Sequence, residues 1–129
     1  MARTPMNERS TTLRRMTHAA HDVAIDSDLQ GDVLAVTVRG ELDMSTSPQL
    51  TSALEAAADQ SVTEITLDLA GVTFIDSSAL RVLVLTGRAL ADKGRTLQIG
   101  PRSDRVARIL SMTNLDAGSD AFRVLPEPS

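Results

Sequence analysis

Between Glu64 and Ile99 the chain reads strand, helix, strand, and that order restricts the fold more than any other feature of its 129 residues. Ile65, Leu67 and Leu69 alternate with Thr66 and Asp68, the period-two pattern of a strand with one buried face. Phe74-Ile75 then runs straight into Asp76-Ser77-Ser78, and an amphipathic helix continues to about Lys93, where Gly94 can end it. Leu97 and Ile99 make the next strand. A tight turn cannot join two parallel strands, so a connection of helix length implies parallel pairing with a right-handed crossover.

Upstream, Val23 and Ile25 suggest a short strand, and Leu34, Val36 and Val38 alternate with Ala35, Thr37 and Arg39 in another. The polar insert from Ser27 to Asp32 between them reads as a hairpin connection, which makes the sheet mixed. Ser47-Pro48 marks a helix start with its cap and first-turn proline; Leu50, Ala53, Leu54 and Ala57 then share one face of a helix over 48–59. Ser103 can cap a third helix with Val106, Ile109, Leu110 and Thr113 on its inner stripe and Asn114 at its end. Phe122, Val124 and Leu125 offer a weak last strand. The expected fold class is α/β: one domain with a mixed, mostly parallel sheet of four to five strands flanked by three to four helices.

A chain of this length with 42% hydrophobic residues can bury one core and not two. Residues 21–126 are assigned to that domain, 1–20 to a flexible basic N-terminal extension and 127–129 to a C-terminal tail. Residues 1–21 hold Arg3, Arg9, Arg14 and Arg15 against Glu8, a balance of +3, and the remainder carries −7. An acidic folded body argues against direct nucleic-acid binding. Cysteine is absent, and the two histidines, His18 and His21, lie at the start of the chain, so no metal and no cofactor are expected. There is no Gly-x-Ser-x-Gly elbow and no Gly-x-x-x-x-Gly-Lys-Ser/Thr loop, which points to binding rather than catalysis. With no run of about 18 apolar residues and no apolar stretch of the signal-peptide kind, the expectation is a soluble cytoplasmic protein without membrane contact.

The two hydroxyls at the strand-to-helix junction are the candidate site. A helix start offers unpaired N–H groups and partial positive charge, so a phosphate on Ser77 would be tolerated there while changing what docks outside. Serines at such positions also simply satisfy helix ends, and Asp76 is suited to cap the helix whether or not it orients an acceptor. Asp43 reads either as support for the acceptor loop or as a turn aspartate bonded to its own backbone, and Glu41 as surface. Projected at 100° per residue, Leu80, Leu83, Val84, Gly87 and Ala91 face the sheet; Ser78, Val82, Leu85 and Ala89 lie opposite, with Arg81 and Asp92 beside them. Val82 and Leu85 on that side read either as a docking surface or as ground covered by the third helix.

Three segments, Gly40-Glu41-Leu42-Asp43, Phe74 to Leu80, and Arg108 to Leu115, resemble in order and spacing the STAS family, and within it the bacterial anti-sigma factor antagonists. The resemblance spans about residues 22–126. It implies a mixed sheet flanked by helices and phosphorylation of the serine directly after the aspartate, here Ser77, with Ser78 secondary and Asp76 and Asp43 in support. The implied partner is an anti-sigma factor that is also a serine kinase. It captures the unphosphorylated protein, releasing its sigma factor, then spends ATP to phosphorylate it and break the contact; a serine/threonine phosphatase resets the cycle. Ser78, Arg81, Val82 and Leu85 are the expected partner-binding residues. Where the family usually has Gly, this chain has Ala79, whose methyl either narrows access to the acceptor or favours the helix by about 1 kcal/mol. Ser111 and Asn114 replace an acidic residue and a Gly. The alternative is a STAS scaffold or nucleotide/small-ligand sensor that is never phosphorylated, and a weak homodimer stays open.

Overall fold

In chain order the computed structural model, which describes residues 16–20 and 23–126, runs β1 (Met16–Ala20), β2 (Val23–Gln30), β3 (Val33–Leu42), α1 (Ser47–Ala58), β4 (Glu64–Ile75), α2 (Ser77–Asp92), β5 (Thr96–Arg102), α3 (Asp104–Met112) and β6 (Arg123–Val124). The strands form one sheet in the order β1-β2-β3-β4-β5-β6. The first two pairings are antiparallel and the remaining three parallel. Each helix-length connection thus joins parallel neighbours, as the strand-helix-strand pattern requires.

Pairing in register stacks one apolar row across the sheet: Ile25 opposite Val38, Leu34 opposite Ile65, Val36 opposite Leu67, and Leu67 opposite Ile99. These side chains are at most 5% exposed, whereas their neighbours Ala35, Thr37, Thr66 and Asp68 are half-buried. The apolar face therefore belongs to the core and the alternating positions do not. All three helices contribute to that same core, through Leu50 and Leu54 from α1, Leu80, Leu83 and Leu90 from α2, and Val106 and Leu110 from α3.

The helix ends follow from local chemistry. At the end of α2 the N–H of Arg95 donates to the Leu90 carbonyl (2.8 Å) and that of Gly94 to Ala91 (3.0 Å), a paired closure that needs the left-handed conformation Gly94 supplies at φ 72°. Asn114, at φ 59°, closes α3 the same way, with Leu115 N–H on the Leu110 carbonyl (2.7 Å). Ser103 caps α3 by accepting from Val106 N–H.

Several expectations are corrected. The sheet has six strands rather than four to five, because Met16–Ala20 pairs along β2 and moves the start of the fold into the segment assigned to the extension. Residues 1–15 and 127–129, and with them most of the expected extension and the tail, lie outside the described residues. The hairpin loop shrinks to Gly31-Asp32, since backbone pairing continues to Gln30 and Val33. The position before α1 is taken by Thr46 rather than Ser47. On α2 the inward residue of the last turn is Leu90, not Ala91, which is exposed, and Thr113 is exposed too, its hydroxyl turned back on the Ile109 carbonyl at 2.7 Å.

Gly87 faces inward as expected, and the backbone carbonyl of Ala121 lies where its Cβ would stand. Gly87→Ala gains helix propensity of about 1 kcal/mol. It must also displace buried backbone, and overpacking of this kind costs about 1–3 kcal/mol. Net destabilisation is the expected outcome, read from urea unfolding followed by circular dichroism; a variant as stable as the parent would contradict the packing described.

Candidate functional site

β3 and β4 run parallel and end level with each other, Leu42 opposite Ile75. The N–H of the next residue, Asp76, donates to the Leu42 carbonyl at 3.0 Å, which fixes the following loop beside the start of α2. Asp76 is extended (φ −120°, ψ −178°), and its Oδ1 accepts from the N–H groups of Ser78 (2.9 Å) and Ala79 (3.3 Å). Two of the orphan donors of the helix start are satisfied in this way. With the cap in place, rotation about the helix sorts the next three residues: Ser77 is exposed, Ser78 half-buried, and Ala79 fully buried. The Ala79 methyl therefore sits in the core and does not stand over the Ser77 hydroxyl.

Asp43 lies at the neighbouring strand end, as expected, but its carboxylate is engaged by its own loop. Oδ1 accepts from the Ser45 hydroxyl (2.7 Å), Ser45 N–H (2.9 Å) and Thr46 N–H (3.1 Å). These donors, the Ser45 hydroxyl first, hold its pKa below the ordinary carboxylate value against a smaller opposing effect of desolvation. Thr46, 3% exposed, completes the turn: its hydroxyl donates to the Glu41 carbonyl (2.7 Å) and accepts from Asp43 N–H (2.9 Å). Glu41 itself is exposed. Asp43 thus shapes the loop next to Ser77, in line with the turn reading.

That loop presents Met44, 75% exposed, and β4 presents Phe74, 40% exposed, three residues before Ser77. The sequence reading missed both as surface residues. Counted by twos from the buried Ile65, Leu67 and Leu69, Phe74 already falls on the outward face; register shifts between β3 and β4 at Thr37/Arg39 and Gly40/Glu41 move the inward position to Val72 and then back to Ile75. Gly40 makes the second shift feasible with φ 104°, a conformation that strains any other residue.

Along α2 the exposed stripe that begins at Ser77 continues through Arg81, Leu85 (52% exposed) and Arg88, lining a shallow depression of about 420 Å³. The face expected from the helical projection is divided. Leu85 and Ala89 are exposed and Val82 is half-buried against the core, and all three line a second groove with Leu54 and Ala58. The helix flanking Val82 is α1, not the α3 that the covered reading invoked.

The family profile described as "Mlab, STAS domain" matches residues 25–126. The chain belongs to the STAS family. Among curated relatives, anti-sigma-B factor antagonists of Staphylococcus epidermidis and of Staphylococcus aureus strain NCTC 8325 are 32% and 33% identical to this STAS chain over 91 residues, 70% of its length and 84% of theirs. Among solved structures, an anti-sigma factor antagonist from Mycobacterium paratuberculosis superimposes with a TM-score of 0.71 at 28% identity, covering 84% of this chain and 89% of that one. The unphosphorylated form of SpoIIAA shares the fold, with a TM-score of 0.62 at 17% identity over 88% and 90% of the two chains.

The bonding of Asp43 in this STAS domain gives a pH dependence with a definite sign. Its lowered folded value contributes stability that is fully present above the unfolded value of about 3.9 and is lost as pH falls through the lower folded value. Asp43→Asn is therefore expected to be less stable than the parent at pH 7, with the gap closing below about pH 4. Thermal unfolding at pH 7 and pH 3 checks this; a gap independent of pH contradicts it.

Proposed function

We propose that this STAS protein is an anti-sigma factor antagonist whose partner is an anti-sigma factor with serine-kinase activity, and that phosphorylation of Ser77 switches the contact off. The observation that carries this reading is the exposure of Ser77 at the first position of α2, with Asp76 occupied as the cap and Ala79 turned inward. The acceptor hydroxyl is thus the member of the Asp-Ser-Ser-Ala segment open to a second protein. Identity of about a third to anti-sigma-B factor antagonists supports the same assignment. A serine/threonine phosphatase would restore the docking form. The sensor alternative drew on Ala79, and burial of that methyl removes the obstruction on which it leaned.

Docking would use Ser77 with Arg81 and Leu85 on α2, Ser78 contributing from the same turn, and Phe74 and Met44 supplying apolar and aromatic anchors at the same end of the sheet. A phosphate adds about −1.5 to −2 charges to a contact built around a neutral hydroxyl, and Asp76 beside it adds repulsion. Turning a 99:1 bound population into 1:99 requires about 5.5 kcal/mol, a demand that desolvation of a dianion in a closed interface can largely meet.

Incubation of the protein with its kinase partner and ATP is expected to add about 80 Da, one phosphoryl group, to the peptide containing Ser77. Ser77→Ala should bind the partner without being modified, and Ser77→Asp should bind less tightly. Modification at another residue, or none, overturns the assignment. Leu85→Asp is the clean probe of the docking face because Leu85 is half-exposed; Val82→Asp would also disturb the core. We expect Leu85→Asp to fold normally and to weaken partner binding at least tenfold by calorimetry, while unchanged affinity removes this face from the interface.

A further inference from the structure

The exposed stripe of α2 places a cation one helical turn from the acceptor. Ser77 and Arg81 are four residues apart, about 6 Å along the axis, and both line the same depression. Side chains on a helix lean toward its N-terminus, a direction that brings the Arg81 guanidinium within reach of a group on Ser77. An anion four residues N-terminal to a cation is also the better orientation for such a pair. The first turn of α2 contains no acidic residue to compete for Arg81. Arg88 lines the depression as well, but eleven residues place it about 16 Å from Ser77, twice the screening length of about 8 Å in physiological salt.

We propose that Arg81 is the intramolecular counter-ion of phosphoserine at position 77. The inference rests on Ser77 being the phosphoacceptor. In the transfer, the Ser77 oxygen forms a bond to the γ-phosphorus of ATP, the bond from that phosphorus to the ADP oxygen breaks, and the hydroxyl proton is released. The new dianion then meets the guanidinium of its own helix, which can offer two parallel N–H donors to phosphate oxygens. Arg81 is drawn over the first turn and withdrawn from the partner. Phosphorylation therefore removes one docking group in addition to adding charge, and the off state is a closed ion pair on α2 rather than a free phosphate.

Phosphoserine genetically encoded at position 77 of the full chain separates this inference from the identity of the acceptor, because no kinase is involved. Phosphorus NMR titration reads the second pKa of the phosphate. Arg81→Gln is expected to raise it by about 0.3 unit or more relative to the parent, and Arg81→Lys, which keeps the charge, to remain between the two. The Asp76 carboxylate next to the phosphate and the Asp43 carboxylate in the adjoining loop are common to all three proteins, so the difference isolates Arg81. In the parent the Arg81 side-chain N–H resonance should also move on phosphorylation. Identical phosphate titration in the parent and Arg81→Gln overturns the pairing while leaving the acceptor assignment standing; kinase labelling at a different serine overturns the acceptor instead.

Discussion

The structure depends on the parallel pairing of β3 and β4 and on the level at which they stop. Because Leu42 lies opposite Ile75 and the Asp76 N–H bonds the Leu42 carbonyl, two loops that are more than thirty residues apart in sequence leave the sheet together. Parallel strands with helical crossovers place such loops at one end of the sheet, where binding residues of α/β folds gather. Each loop is then fixed by an aspartate that bonds its own backbone, Asp43 to Ser45 and Thr46, Asp76 to Ser78 and Ala79. The rigidity belongs to the backbone and the two carboxylates. The Ser77 hydroxyl stands outside it.

Under the proposed function, that division of labour would let Ser77 carry a phosphate without unfolding the domain. The apolar row from Ile25 to Ile99 and the inward residues of the helices form the core, and Ser77 contributes to none of it. A charge added there meets water, the positive end of α2, and the guanidinium one turn on. The apolar side chains exposed nearby, Phe74, Met44 and Leu85, are excluded from the core by the register of β4, the turn after β3 and the rotation of α2 respectively. They form the part of the surface that the fold alone does not account for.

Features governed by neighbouring residues were legible in the sequence. The cap at Asp76, the cap at Ser103, the terminators Gly94 and Asn114, and the parallel β4-α2-β5 unit each follow from a short pattern with a local physical cause. Features governed by contacts across the fold were not. Residues 16–20 lack apolar alternation, yet the free edge of β2 gives them a place to pair. Phe74 is apolar and adjoins the buried Ile75, and nothing local marks the two register shifts that turn Val72 inward and then return the inward position to Ile75. Leu90 rather than Ala91 closes the inner stripe of α2, because at 100° per residue Leu90 falls about 20° from the buried Leu83 and Ala91 about 80° from it. Around the candidate site, the Asp76 cap and the exposure of Ser77 and Arg81 on α2 were readable from the sequence, whereas the inward turn of Ala79 required the cap geometry and the self-contained bonding of Asp43 required the whole 41–46 turn.

The claim on which the account rests is that phosphate at Ser77 changes the surface and leaves the fold intact. Amide NMR spectra of the full chain with serine and with phosphoserine at position 77 test it most directly. The account predicts shifts confined to residues around 42–46 and 74–85, with core amides such as those of Leu67, Ile99 and Leu110 unmoved. Shifts spread through the sheet, or loss of dispersion on phosphorylation, would contradict it and make the switch a matter of unfolding.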